Sequence, residues 1–382
     1  SMVPTYAATS RPSPQTACRG KVVCYAVGAR ANPPGHEDVT RTRIAGQIAS
    51  LLGYDAGGDY TPDNAADARP LYFVPSRTLT REHAERDLGI AGEGDLFGGV
   101  VPHEHIATKS ITHRLLGEQA DAPPGWSHAF GVRVEHAVLR GYSAYSMADA
   151  RRAALQLLEL GPVRVKRACE TGGRGQFVAR TAREVDAVLA RLDPEEVTRH
   201  GLVVEQNLDA VDTLSVGQVR IGALCASYYG TQHQTEDHRG AQVYGGSALF
   251  VVRGDYDALL ARAPDRNVRT AIEQARCYEE AALSSFPGFY ASRRNYDIAQ
   301  GRDARGRLCS GVLEQSWRIG GASGAELGAL EALASDPAAD AVRAACTETY
   351  GEPDVPPNAT VYYDGEDPRV GRITKYAVVH PL

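Results

Sequence analysis

The sequence predicts a mixed protein, a small α/β unit with a parallel sheet followed by an α+β region, on three observations. Short β-branched runs at KVVCYAVGA, PLYFVPS and LFGGVVP alternate with helix-spaced segments through roughly the first hundred residues, the alternation that builds a parallel sheet. Farther on, longer strand-like runs cluster around a few strongly periodic helices, the arrangement of α+β proteins. At 382 residues the chain is also long enough for two or three units, each with its own core.

The first unit starts with a strand at Lys21, followed by a helix over 35–53 with Val39, Ile44, Ile48, Leu51 and Leu52 at helical spacing. Pro70–Ser76 and Leu96–Pro102 read as its second and third strands, which sets a unit of residues 20–108. KSITHRLL (Lys109–Leu116) predicts a short helix, ended by Gly117 and the Pro123-Pro124 link, and Val132–Val138 a strand. SMADARRAALQLLELG is the clearest helix, with Ser146 as cap, Asp149 as the third-position carboxylate of a capping box and Gly161 as stop. GPVRVKRA and FVAR read as strands around the loop ETGGRGQ, then TAREVDAVLARL as a helix and GLVVEQNL as a strand.

TLSVGQVRIGALCASYYG and SALFVV predict further strands, Val268–Leu283 a helix, and RRNYDIAQGRDARGRLCSGVLEQS a strand pair. An Ala-rich helix pair is expected from Gly324 to about Tyr350. The tail ATVYYDGEDPRVGRITKYAVV reads as two strands that the sequence assigns to no sheet.

Composition narrows the function classes. Hydrophobic residues are 43% and charged residues 23%, ordinary for a globular protein. A net charge of −6 gives no counterion-release drive toward nucleic acid and no pull toward an anionic membrane. No apolar run approaches the roughly 20 residues of a spanning helix. Residues 1–19 are polar and Pro-rich, without a signal-peptide core, and read as a flexible arm. The seven cysteines are scattered singly with no C-x-x-C, so neither a disulfide framework nor a zinc ribbon is indicated. Reduced thiols in a cytoplasmic protein are the plain expectation.

Two segments carry chemistry. VRVKRACETGGRGQFVAR takes Lys166 on a strand into a loop with Gly172, Gly173 and Gly175. That backbone lets N–H groups close on an anion beside a fixed cation. The loop is neither a Walker A sequence nor a dinucleotide fingerprint; read alone, a hairpin whose glycines serve only the turn explains it equally. Asp297 in NYDIAQ and Glu314 in GVLEQSWRIGG fall on two strands joined by GRDARGR. Pairing those strands brings two hard oxygen donors together, as Mg²⁺ on a triphosphate requires; solvent-facing positions are the alternative.

A strand-borne lysine, a glycine hairpin, a helix, V-V-E-Q-N-L and an acid-bearing strand pair follow in that order. Over roughly Lys21–Gly324 the chain therefore resembles the ATP-grasp superfamily. Its glycine loop is similar to that of biotin carboxylase, and the whole is similar to a bacterial family without an assigned function. The resemblance implies an amino-terminal parallel-sheet domain before a two-lobed ATP-grasp domain. The lid lobe would be 109–207 and the catalytic lobe 208–330, followed by a helical and strand-like extension, 331–382.

It further implies that Lys109 and Lys166 meet the phosphates of ATP beneath Gly172, Gly173 and Gly175, and that Glu205, Gln206, Asn207 and Leu208 hold the adenine edge. Asp297, Glu314 and Ser316 would hold Mg²⁺, with Ser316 standing where the family carries asparagine. Arg318 and Lys166, with Arg294 assisting, would stabilise the transferring phosphoryl group. The polar stretch Thr231–Ser247 takes the position of the substrate side. His233, His238 and Arg239, Arg220 upstream, and Gly320 and Gly321 are its candidates, although a surface loop explains the stretch as well.

The implied reaction is ADP-forming ligation of a small-molecule carboxylate to an amine, less readily a thiol, through an acyl phosphate. Neither nucleic acid nor membrane is a partner, and a homodimer is allowed. A kinase on the same fold and a non-catalytic ATP-binding module stay open, the latter because of Ser316. A biotin-dependent carboxylase is disfavoured, since no Met-Lys-Met occurs. His103-Glu104-His105, with His113 beyond, lacks H-E-x-x-H spacing, and Cys169 has no general base among its sequence neighbours.

Overall fold

The structure is a computed structural model that describes residues 19–28, 31–66, 68–169 and 175–382. The arm expected over 1–19 lies outside them except for Arg19, as do Gly172 and Gly173.

Val22, Val23 and Cys24 are buried in β1 (Lys21–Tyr25). The helix α1 (His36–Leu52) packs Ile44, Ala45 and Ile48 inward and ends on Gly53 at φ 68°, a conformation that suits glycine. Parallel strands β2 (Asp55–Asp59) and β3 (Leu71–Pro75) flank β1. The expected third strand is not in this sheet. Leu96 makes a single bridge to Phe73, and β5 (Gly99–Val101) pairs with β4 (Leu79–Thr80) in a separate small sheet. The vacant edge is taken by β2, whose DAGGD sequence has no strand propensity and is held by backbone pairing.

The helix expected over Lys109–Leu116 is one 3₁₀ turn, Lys109–Thr112. Every residue from Lys109 to His113 is buried, so the segment has no solvent face for an amphipathic helix. The strand expected at 132–138 is instead α2 (His128–Arg133) and a 3₁₀ turn, Glu135–Ala137. Val132 and Val134 imitate a period of two, but Val132 is exposed, and the buried pair is Phe130 and Val134, one helical turn apart.

A four-stranded antiparallel sheet follows, ordered β6-β9-β7-β8. It is built from β6 (Gly141–Ala144), α3 (Met147–Leu158), β7 (Val163–Arg167), β8 (Gln176–Ala179), α4 (Ala182–Leu189), α5 (Pro194–His200) and β9 (Leu202–Gln206). Ser146 caps α3 by accepting from the Asp149 amide, as expected, and Thr181 caps α4 in the same way.

The remaining chain forms β10 (Asp209–Ile221), β11 (Leu224–Glu236), β12 (Gln242–Arg253), α6 (Tyr256–Leu260), α7 (Arg266–Ser285), β13 (Tyr290–Ala291), β14 (Arg293–Arg302), β15 (Leu308–Ser316), α8 (Ser323–Ser335), β16 (Ala341–Thr349), β17 (Thr360–Asp367) and β18 (Gly371–Pro381). β13 joins the small sheet beside β5. The others make an eight-stranded antiparallel sheet, β15-β14-β10-β11-β12-β16-β18-β17. The second helix of the expected Ala-rich pair is therefore β16. Its alanines carry helix propensity, but Ala341, Val342, Ala344 and Cys346 are buried in the sheet, and tertiary packing overrides it. The tail enters the same sheet through β18 against β16.

One face of this sheet packs on α2, α6 and α7, the other on α1 and α8. No helix among the described residues is long and apolar enough to cross a membrane. Arg293 of β14 and Glu326 of α8, each fully buried, meet with Nη2 3.0 Å from Oε2 and Nε 3.0 Å from Oε1. Glu326→Ala leaves that guanidinium uncompensated and is expected to remove about 3–5 kcal/mol of stability, read by urea unfolding. Arg293→Met with Glu326→Met should recover most of it. A loss below about 1 kcal/mol for the single variant would show that the pair does not hold α8 to the sheet.

Candidate active site

Alternation along β14 sets its chemistry. Arg293, Asn295 and Asp297 point to the α8 side, and Arg294, Tyr296 and Ile298 to the α7 side. The register with β15 opposes Asp297 to Glu314 and Asn295 to Ser316, with a bulge just past Asp297. Asp297 Oδ1 accepts from Gln232 Nε2 at 2.6 Å and from Asn295 Nδ2 at 3.3 Å. Burial and the facing charge of Glu314 push the Asp297 carboxyl up to about 6. Lys109 Nζ, 4% exposed, stands 3.6 Å from Glu314 Oε2.

Four residues beyond Lys109, His113 Nε2 lies 2.7 Å from Glu205 Oε2, and the other oxygen of Glu205 pairs with Lys166 Nζ. All three side chains are buried. Burial alone would raise the Glu205 carboxyl, but the Lys166 and His113 charges overcome it and hold the group at about 2. The short segment 109–113 thus links the acid pair, which Lys109 meets, to Lys166, whose partner Glu205 is met by His113.

Other expected ligands have mixed fates. Gly175, at φ 67°, accepts from the Arg167 amide and turns the hairpin; Gly172 and Gly173 lie outside the described residues. The Gln206 and Asn207 amides already donate to Arg140 O (2.8 Å) and Pro162 O (3.0 Å), and Leu208 is buried. Ser316 Oγ accepts from Arg293 Nη1 at 2.9 Å.

Arg318 meets no carboxylate at ion-pair distance among the described residues; its Nη1 donates to Ile319 O. Burial and neighbouring Arg293 pull its pKa down, against Glu314 and Glu37. Its loop is pinned, since Thr78 Oγ1 donates to Trp317 O (3.1 Å) and a Cβ on Gly99 would come within 2.8 Å of Trp317. Gly320 and Gly321 serve packing, against Arg293 and the Tyr244 ring.

Several expected residues are not brought to the acid pair. Arg294 faces α7, where it pairs with Glu279 at 2.9 Å. Arg220 lies five residues along β10 from Ser215, the partner of Asp297, about 17 Å away, and meets Glu93 at 3.7 Å. His233 is exposed next to Gln232, on the opposite face by alternation. His238 Nε2 sits 2.8 Å from Arg372 O near the β11–β12 turn, with Arg239 exposed beside it. His103 and His105 stack on each other, and Cys169 donates to Glu196.

Among the described residues no group of three or more His, Cys, Asp or Glu could hold a metal. Mg²⁺ asks for less, one or two carboxylates with phosphate oxygens and water, and the Asp297–Glu314 pair fits that need. Two open concavities, about 430 Å³ by Tyr60 and Asp87 and about 530 Å³ by Arg220 and Asp255, share no residue with the pair.

Sequence reasoning missed Arg293, Asn295 and Gln232 as partners of the site, and His113 as partner of Glu205. Strand parity marks the first two, since even steps of four and two residues from Asp297 share its face, whereas Arg294 is an odd step away.

The profile of the family described as "Protein of unknown function (DUF3182)" matches residues 24–377, and the chain belongs to that family. No curated protein matches the sequence. Phosphoribosylamine–glycine ligase from Thermotoga maritima is similar in structure, with TM-score 0.51 and 12% identity over 95% of this chain and 92% of that one. D-alanyl-alanine synthetase A from Vibrio cholerae O1 biovar eltor gives TM-score 0.45 and 10% identity, covering 78% and 89%. The fold is the ATP-grasp-like fold that the motif order implied.

The raised Asp297 pKa has a stability consequence. The folded state holds that proton between the ordinary aspartate range near 4 and about 6, so this group's contribution is full below pH ~4 and is lost as pH rises to about 6. Asp297→Asn should therefore gain stability relative to wild type across that window and level off above it, seen as a growing difference in Tm. A difference that stays flat with pH would show that the Asp297 carboxyl is not raised in the folded protein.

Proposed function

We propose that the protein is an ADP-forming ligase that uses ATP and Mg²⁺ to activate a small-molecule carboxylate as an acyl phosphate for attack by an amine. The observation that carries this reading is the in-register Asp297–Glu314 pair with two buried lysines near it, Lys109 directly on Glu314 and Lys166 at the far end of one short segment. The similar ligase, by its name, joins phosphoribosylamine and glycine, which supports the reaction class. Its partners are then small molecules, in a cytoplasmic setting.

Asp297 and Glu314 hold the metal, which supplies Lewis-acid charge at the phosphates. Lys109 and Lys166 present ammonium groups in a buried setting, where such charges act more strongly than in water. Glu205 and His113 fix the direction of Lys166. The backbone at Gln206–Leu208 would meet the adenine, while Gly172 and Gly173, expected over the phosphates, lie outside the described residues. A substrate carboxylate oxygen attacks the γ-phosphorus, the β–γ bridging oxygen leaves with ADP, and Arg318 faces the charge that develops. The amine then attacks the acyl carbon, and phosphate leaves with the bonding electrons while the amine loses its proton.

ADP and phosphate release measured against pools of acids and amines tests the reaction. A ligase needs both substrates, a kinase needs one and keeps the phosphate on it, and a binding module releases nothing. Glu314→Ala and Lys166→Ala should each lower turnover by about 10²–10³ or more with far-UV circular dichroism unchanged. Near-normal turnover in either removes that residue from the machinery.

A further inference from the structure

We infer that this site takes a single divalent cation per nucleotide, because the Arg293 guanidinium stands at the Ser316 hydroxyl where a second cation would bind. The inference rests on the nucleotide-binding reading above and adds the metal count, which follows from residues particular to this chain.

The polar face offers two rows of cross-strand partners, Asp297 with Glu314 and, one step along, Asn295 with Ser316. In the second row no side-chain oxygen is free. Ser316 Oγ accepts from Arg293 Nη1 at 2.9 Å, and the Asn295 side-chain oxygen lies 2.8 Å from the Tyr228 hydroxyl while its nitrogen donates to Asp297. An ion bound to Ser316 Oγ at the usual 2.0–2.1 Å would stand within about 5 Å of a guanidinium nitrogen. That guanidinium cannot withdraw. Glu326 grips its other edge through Nε and Nη2, and Nη1 also donates to Arg318 O at 2.7 Å. It cannot neutralise itself either, since arginine does not deprotonate in proteins.

The first row is different in kind. Its two carboxylates face each other, and the cation beside Glu314 is Lys109, an ammonium on a flexible stem 3.6 Å away. A divalent ion can displace that ammonium toward the phosphates; it cannot displace Arg293. One row accepts a metal ion, and the other already holds a fixed positive charge in its place.

Mn²⁺ serves as the probe, with free Mn²⁺ read by electron paramagnetic resonance and bound β,γ-imido ATP counted by equilibrium dialysis in the same samples. The expected result is one Mn²⁺ per bound nucleotide. Two ions of comparable affinity would overturn the inference while leaving the nucleotide site standing. A protein that binds no nucleotide would overturn the functional reading and the inference with it. Ser316→Ala should leave Mn²⁺ affinity within about threefold of wild type, whereas Asp297→Asn should weaken it by about tenfold or more. A tenfold loss in Ser316→Ala would make that hydroxyl a ligand and end the inference.

Discussion

Like charges held opposite each other across a strand pair repel, and the register that sets Asp297 against Glu314 builds that repulsion into the β14–β15 side of the large sheet. Much of the surrounding structure is there to keep the pair in place. Gln232 from β11 and Asn295 from β14 donate to Asp297, and Lys109 approaches Glu314 from a turn outside the sheet. The Arg293–Glu326 ion pair fastens the same strand to α8. Four separate stretches of sequence thus converge on two carboxylates that would drift apart without them.

The two halves of the site carry opposite electrostatics. Glu205 is surrounded by cationic partners and held at about 2, so its charge is already compensated and it orients Lys166. Asp297 is pushed up to about 6 by burial and by the acid facing it, which outweigh its hydrogen bonds and the Arg293 charge. A carboxylate with a surplus of cations is a structural element, and one with a deficit is a place for an incoming cation. That contrast, more than the number of acidic residues, separates the strand of Glu205 from the strand of Asp297.

Much of this was legible in the sequence. Order carried the fold, because the strand-borne lysine, the V-V-E-Q-N-L strand and the acid pair occur in sequence and fold into two adjoining sheets. The helix α3 was readable from its cap, and β14 and β15 from their turn. The failures have physical causes. β2 is a strand only because an edge was available to it, β16 is a strand although its alanines favour a helix, and Val132–Val134 mimic alternation inside a short helix. Arg294, expected to assist Arg318 from the preceding strand, faces α7, whereas the period of two assigns the α8 side to Arg293. The polar turn of β11 and β12 carries histidines and an arginine, yet it extends away from the acids along two long strands, and composition alone does not record distance.

One feature of the topology bears on how the protein is made. The inner side of α1 rests on α8 and on β17, where Tyr362 donates to Gln47 and Arg43 to the Val361 carbonyl. The sheet beneath continues through β16 and β18, which lie far along the chain from α1. Part of the apolar side of α1 is covered at once by β1 next to it in the chain, but the rest is covered only by segments some 315 residues farther on, so α1 is fully packed only after those distant segments have folded.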